Sequence, residues 1–571
     1  MMSDPAPHPV PRFLLDRAEQ APRATLCVVP EAMHAALPGG HPHPDLPGWW
    51  TVEVAEAARQ VAGLAQALAD LGVQTGDRVA IVADTSHLWA AVDLAILSLG
   101  AVTVGLYPNL PVPRLQQQLA HCGARLAILQ DHRLAAHFAD ATRSVPLGVR
   151  VLYPGGATPA LTPSPATVAS LRARVAAVDP DSPATIVYTS GTTGDSKGAV
   201  LTHRAFHHVV HHSRDAFPTR PGDRSVVFLP MAHVLQRFAT YRGLVDGIEG
   251  WYAPHIAGLP DTIRAARPHV LVAVPRVLEK VRIEARKQAD KRGALALFDW
   301  ASSIGSTPRT SSWRDRARFE VADRLVLRRI RRGLGGQLRA IVSGSAPLDP
   351  ALARWFEGAG IPVREGWGLT ETCAPATADP LHASKPGSVG KPLAGVQVRV
   401  AADGELEVAS PALFSEYFDA PEATAAAFTP DGWFRTGDLG RVDADGYVWI
   451  TGRKKDLLIT AGGRNIAPTP IEQALHVDGV GHAVVLGDRR PYLVALLFPD
   501  ADAPVPAPTS AITAAIHTWN RSQPRHQHVV DWRWVDHPLT VESGALTPTL
   551  KVRRSVVAQQ HAQHVNGLYE G

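Results

Sequence analysis

Cysteine is scarce in this chain: Cys27, Cys122 and Cys373 are the only three among 571 residues. They lie far apart and are odd in number, which excludes a disulfide framework or a thiolate zinc site and fits a reducing cytosol. An apolar run long enough to cross a bilayer is also missing. The most apolar stretch, Leu88 to Leu106, contains Asp93 and two glycines, and it reads as a buried helix leading into a strand. The N-terminal MMSDPAPHPVPRF has no basic segment followed by an apolar core, so no secretory signal is expected. The expectation is a cytoplasmic protein whose membrane contact, if any, is peripheral on the inner face. Charge of one sign is lacking as well: 57 Lys+Arg against 53 Asp+Glu leaves +4. No Lys/Arg block argues for nucleic acid as a partner. With 45% hydrophobic and 19% charged residues the composition is that of a globular protein, and the length implies several domain-sized units.

What is present is an alternation of short apolar strands with helical stretches, the pattern of an α/β protein with largely parallel sheets. Strands are expected at 78–83, 102–105, 125–129, 149–152, 184–187, 269–274 and 338–342. Beyond Gly390 the texture changes to short alternating strands joined at Asp403-Gly404 and Asp445-Gly446, a hairpin signal. A polar, charged run from Thr451 to Asp456 then separates a large N-terminal region from a tail of about 115 residues, a small-domain length.

After the strand at 184–187 comes Tyr188-Thr189-Ser190-Gly191-Thr192-Thr193-Gly194-Asp195-Ser196-Lys197-Gly198. Gly191 and Gly194 let backbone N–H groups turn toward an anion, the hydroxyls of Thr189, Ser190, Thr192 and Thr193 add donors, and Lys197 adds charge. The segment is not a Walker loop, which needs Gly before and Ser or Thr after the lysine. A surface turn of small residues is the alternative. Alone, the loop points to phosphates and to no particular reaction.

Four more motifs follow in order: Gly366-Trp367-Gly368-Leu369-Thr370-Glu371, Trp433-Phe434-Arg435-Thr436-Gly437-Asp438, Gly452-Arg453-Lys454-Lys455-Asp456 and Leu546-Thr547-Pro548-Thr549-Leu550-Lys551. Together with the phosphate loop they resemble the adenylate-forming superfamily of acyl-CoA synthetases, luciferases and peptide-synthetase adenylation domains. That family activates a carboxylate with ATP to an acyl-adenylate and passes the acyl group to a thiol, usually of coenzyme A (CoA). The resemblance implies an α/β acyl-CoA synthetase-like fold: a large N-terminal domain of parallel and mixed sheets with a β-rich subdomain, and a small mobile α+β C-terminal domain. The divisions it implies are an AMP-binding domain over 1–452 with the β-rich part at about 390–452, a hinge at 453–457 and a mobile domain over 458–571.

Residue roles follow from the same resemblance. Glu371 and Thr192 would hold Mg²⁺, a hard cation suited to oxygen ligands, and Thr370 would donate to the α-phosphate. Trp367, where the family more often has tyrosine, and Gly368 would cover one face of the adenine, with Gly344, Ser345 and Ala346 on the other side. Asp438 would accept from the ribose hydroxyls with Arg453 assisting, an arrangement also used by dinucleotide-binding folds. Lys551 would bridge the substrate carboxylate and the α-phosphate. Lys455 would be the hinge that exchanges Lys551 for the Gly462-Gly463 loop facing CoA. His233 matches a histidine beside the acyl carboxylate. Read alone, Thr370-Glu371 could be a helix start, Asp438 a turn residue, His233 a core histidine and Lys551 a solvated lysine.

Several segments resemble long-chain fatty acyl-CoA synthetases: His233 to Arg237, Val274 to Val281, Gly462 to Pro468, Arg489 to Leu496 and the Leu546 to Lys551 ending. The implied reaction takes fatty acid, ATP and CoA to acyl-CoA, AMP and pyrophosphate, in a monomer or homodimer. Two alternatives are a fatty acyl-AMP ligase that loads a carrier protein and a nucleotide- or lipid-binding protein that has lost catalysis. The run His207-His208-Val209-Val210-His211-His212 places imidazoles at the i, i+4 spacing of a metal site. With no third ligand nearby in sequence, it reads as a solvated helix face.

Overall fold

The computed structural model describes residues 6–37, 39–137, 148–189, 197–217, 219–307, 312–380, 383–477, 479–500, 509–547 and 550–570. Ser190, Gly191, Thr192, Thr193 and Gly194 lie outside them. So do Pro548 and Thr549.

The apolar β-branched runs form strands because both of their faces are covered, as parallel sheets require. Five strands pair in parallel in the order Pro183–Tyr188, Val102–Leu106, Arg78–Val82, Leu126–Leu129 and Gly148–Val151. Gly198–Thr202 and then Glu416–Tyr417 extend this sheet antiparallel at one edge. A second sheet joins Arg224–Val227, Glu249–Tyr252 and Thr25–Pro30 in parallel, with Trp49–Glu53 and His41–Pro42 antiparallel beyond them. A third runs Val270–Ala273, Ala340–Ser343 and Val363–Trp367 in parallel before two short antiparallel strands. The apolar stretch containing Asp93 is the helix His87–Ser98 followed by the strand Val102–Leu106, as its sequence leads one to expect.

From Gln397 to Arg453 four antiparallel strands form a separate sheet. Its two tight turns carry Gly404 and Gly446 at φ 84° and 83°, a conformation that glycine adopts without steric cost. Beyond it, Val480–Leu486, Leu493–Pro499 and Val529–Trp534 make a three-stranded sheet. Two clusters of buried side chains drawn entirely from 458–568 cover its faces. Arg276 ties the regions together through an ion pair of 2.6 Å to Asp500.

The helix His203–His212 corrects the expectation of a solvated histidine face. His203 and His207 are buried, and His211 is half-buried. The covering element is the N-terminal segment: His8 and Phe13 pack their rings on His207 and His211. A contact so distant in sequence leaves no trace in helical periodicity.

Candidate active site

Parallel strands of an open α/β sheet deliver ligand sites at their carboxyl ends, and here two sheets deliver to one place. Val363–Trp367 ends on Trp367, Ala340–Ser343 runs into Gly344-Ser345-Ala346, and Pro183–Tyr188 runs into Thr189. All of these residues except Val363, Arg364, Ala340, Ile341 and the earlier part of 183–188 border one cavity of about 630 Å³. Gly368, Thr370, Glu371, His233, Asp438, Arg453, Lys455 and Lys551 border it too. Gly368 must be glycine, since a Cβ there would sit 1.9 Å from the carbonyl oxygen of Ala374.

Asp438 and Arg453 face each other across a hairpin register. Trp367 Nε1 donates to Asp438 Oδ2 at 2.8 Å, while Arg453 Nε lies 2.9 Å from Oδ1 as an ion pair without being aimed as a hydrogen bond. The tryptophan's indole N–H thus finds a buried acceptor.

Glu371 is buried, and Tyr417 donates its hydroxyl to Oε1 at 2.7 Å. Lys197 Nζ stands 4.9 Å from the centroid of the same tyrosine ring. Tyr417 therefore touches both groups, a role absent from the sequence reading. The only local signal is an aromatic residue in the Glu416-Tyr417-Phe418 segment, which pairs with the strand that follows Lys197. Lys197 itself does not border the cavity. Its carbonyl accepts from the backbone N–H of Thr189 at 2.9 Å and closes the base of the loop.

His233 caps the helix Val234–Asp246, its Nδ1 accepting from the Leu235 N–H at 3.2 Å. Burial, with the charge of Lys551 adding to it, pushes the imidazole down to about 4. The ring is neutral near pH 7, with its proton on Nε2. Burial also lowers the Lys551 ammonium below the ordinary lysine range, and Arg453 adds repulsion. The same two causes lower Lys455. Leu550, directly before Lys551, sits at φ 60°. A leucine in this left-handed region is strained and is held there by its surroundings. Thr547 N donates to Lys551 O at 2.8 Å and Lys551 N to Thr547 Oγ1 at 3.0 Å.

Glu365 is a second residue that sequence reasoning missed. It borders the cavity, and burial pushes its carboxyl up to about 8, with Asp379 adding to the rise and the Leu348 N–H opposing it. Gly462 and Gly463 are exposed and away from the cavity. Leu14, Leu94, Phe238, Leu244, Ile248 and Tyr252 give the cavity an apolar branch into the core.

The architecture and this convergence define a nucleotide-handling α/β enzyme with a second, C-terminal unit that contributes a lysine. The AMP-binding enzyme family matches residues 20–418, and the AMP-binding enzyme C-terminal domain matches 455–571. The chain belongs to this family, within the adenylate-forming superfamily. It is 38% identical to long-chain-fatty-acid–CoA ligase FadD15 of Mycobacterium bovis, over 91% of this chain and 92% of that protein. The crystal structure of ATP-bound MatB from Rhodopseudomonas palustris is similar at a TM-score of 0.68 and 25% identity, over 93% of this chain and 98% of the other. The adenylation domain of a carboxylate reductase from Mycobacterium chelonae has the same fold, at a TM-score of 0.76 and 21% identity, over 100% of this chain and 92% of its own.

Proposed function

We propose that this AMP-binding enzyme is an ATP-dependent long-chain fatty acid–CoA ligase that runs two half-reactions in one cavity. The observation that carries this reading is Lys551. It comes from the far end of the chain, yet it shares a cavity with Glu371, Asp438, Arg453 and His233, in front of an apolar branch.

In the first half-reaction a carboxylate oxygen of the fatty acid attacks the α-phosphorus of ATP. The new O–P bond forms as the bond to pyrophosphate breaks. Lys551 neutralises the charge that develops between the two reactants, a contribution on the order of 10²–10³ in rate. Thr370 donates to the α-phosphate and neutral His233 orients the carboxylate. Trp367 and Gly368 cover the adenine opposite Gly344, Ser345 and Ala346, and Asp438 with Arg453 takes the ribose hydroxyls. Lys197 and its loop hold the departing pyrophosphate. Glu371 fits Mg²⁺, being a buried carboxylate at the cavity wall fixed by Tyr417, and Thr192 would be its companion. That ion supplies neutralisation of phosphate charge.

In the second half-reaction the CoA sulfur, having given up its proton, attacks the acyl carbon, and AMP leaves with the former carboxylate oxygen. Lys455 is the hinge between a domain of residues 1–452 and one of 458–571. Rotation there withdraws Lys551 and brings the Gly462-Gly463 loop to CoA, a domain movement of an ordinary kind. The long-chain assignment draws on the apolar lining of the cavity and on the similarity to long-chain-fatty-acid–CoA ligase FadD15.

The test is carboxylate-dependent pyrophosphate exchange across acids from two to twenty carbons and aryl acids, each with and without CoA. Exchange that peaks with long-chain acids, with thioester formed when CoA is added, is expected. A peak at aryl or short acids would overturn the substrate class. Exchange without thioester would assign a carrier protein as acceptor, and no exchange with any acid would reject catalysis.

A further inference from the structure

We propose that His8, His207 and His211 form a binding site for a late first-row divalent cation, with Zn²⁺ the first candidate, that staples the N-terminal segment to the helix His203–His212. One ring nitrogen from each of the three lies within 4.8 Å of the other two. His207 and His211 stand one helical turn apart, the spacing at which two imidazoles clasp one ion. His8 supplies the third ligand from the segment that precedes the first helix, Arg12–Gln20.

Three features prepare these side chains for metal. Nε2 of His207 and Nε2 of His211 are buried with no hydrogen-bond partner, a cost that a metal–nitrogen bond would remove. His8 Nδ1 lies 3.1 Å from the Pro9 carbonyl oxygen. An N–H donated to that carbonyl leaves Nε2 with its lone pair free and orients the ring, the support metal-bound histidines ordinarily receive. All three imidazoles are held neutral by burial, His207 at about 3 and His211 at about 4, and a neutral ring is the form that binds metal. Zn–N bonds of about 2.0–2.1 Å place tetrahedral ligand nitrogens about 3.3 Å apart, so side-chain rotation draws the rings inward on binding. The cluster supplies imidazole alone, which suits Zn²⁺, Cu²⁺ and Ni²⁺ rather than Mg²⁺ or Ca²⁺. The neighbouring His208 and His212 stack on each other at 3.9 Å and form a separate pair.

None of the three borders the cavity, so the role is structural. A cation bound only by the native state raises stability through mass action.

The experiment is Zn²⁺ titration of the full chain without an affinity tag, followed by calorimetry and by elemental analysis after dialysis. A parallel Co²⁺ titration reads the absorption of an imidazole-bound ion. One equivalent of Zn²⁺ is expected, with a rise in Tm on addition. The variants His8→Ala and His211→Ala should lose both the equivalent and the Tm rise while keeping pyrophosphate exchange. His8→Cys, which restores a ligand, should recover binding, and His212→Ala should leave it unchanged. His8 lies outside any helix or strand, so its substitution tests the site without depending on the fold of the helix. Retention of the equivalent in His8→Ala, or wild-type binding no greater than that of the His8→Ala/His211→Ala double variant, would overturn the proposal.

Discussion

Two Asp–Arg pairs in this protein differ in how far each is sealed, and the difference separates a structural ion pair from one proposed above to meet a ligand. Asp93 and Arg237 are 0% and 1% exposed and 2.6 Å apart. Arg237 also donates to Thr185 Oγ1 at 2.6 Å and to the Tyr241 hydroxyl, and Tyr241 donates to Asp93. The arginine lies beside the rings of Trp89, Phe206 and Tyr241. All three guanidinium nitrogens of Arg237 and both carboxylate oxygens of Asp93 are hydrogen-bonded inside the protein, which is the condition for burying charge. Asp438 and Arg453 are 12% and 31% exposed, and the arginine Nε is not aimed at its partner. This pair keeps hydrogen-bonding capacity for the cavity it borders. Both arginines fall in segments that resemble long-chain acyl-CoA synthetases or the wider superfamily, so the residue type alone does not separate the two roles.

The sharpest way to break the comparison is to remove one partner of the buried pair. Asp93→Ala should cost about 3–5 kcal/mol, because it leaves a buried guanidinium without its countercharge; denaturant unfolding measures this. A loss below about 1 kcal/mol, the scale of a surface pair, would show that the sealed network contributes no more than an exposed one. Next in size, Lys551→Ala should lower adenylation by about 10²–10³ while leaving CoA attack on supplied acyl-AMP intact. Equal loss in both half-reactions would reject the proposed domain exchange.

Asp438→Asn should raise the KM for ATP and shift stability by no more than about 1 kcal/mol, since the amide keeps an oxygen for the Trp367 N–H and its charged partner Arg453 is 31% exposed. A stability loss like that of Asp93→Ala would erase the distinction. The buried histidines give a pH signature. His87 and His203 are both pushed down to about 3 by burial, so below the unfolded value of about 6.5 the unfolded chain binds more protons. Stability is therefore fully present above about pH 6.5 and falls as pH drops toward 3, which thermal scans would follow. The smallest effect is expected from Arg276→Ala, which removes the contacts to Asp500 and His476. It should reduce adenylation modestly and leave thioester formation from acyl-AMP unaltered.

Much of the cavity was legible because its residues sit in short segments whose chemistry is local. A strand followed by a loop of glycines, hydroxyls and a lysine suggests a phosphate holder, with a surface turn as the alternative, and turns at Asp403-Gly404 and Asp445-Gly446 announce their hairpins. Tyr417 and Glu365 were not legible. The first gains its role by reaching a carboxylate 46 positions away, and the second by burial that shifts its carboxyl. The same limit applied to the histidine run, whose i, i+4 spacing is that of a metal site but which read as a solvated face because no third ligand lies nearby in sequence.

The sequence by itself determined the α/β alternation, several strands and the hairpin turns, because hydrophobic period and turn chemistry act over a few residues, and its ordered motifs carried the resemblance to the family. Tertiary structure decided which of two Asp–Arg pairs is sealed and which stays open, where Lys551 lies, and that His8 closes on His207 and His211. Those outcomes depend on desolvation and on contacts between distant segments, and both exist only once the chain is packed.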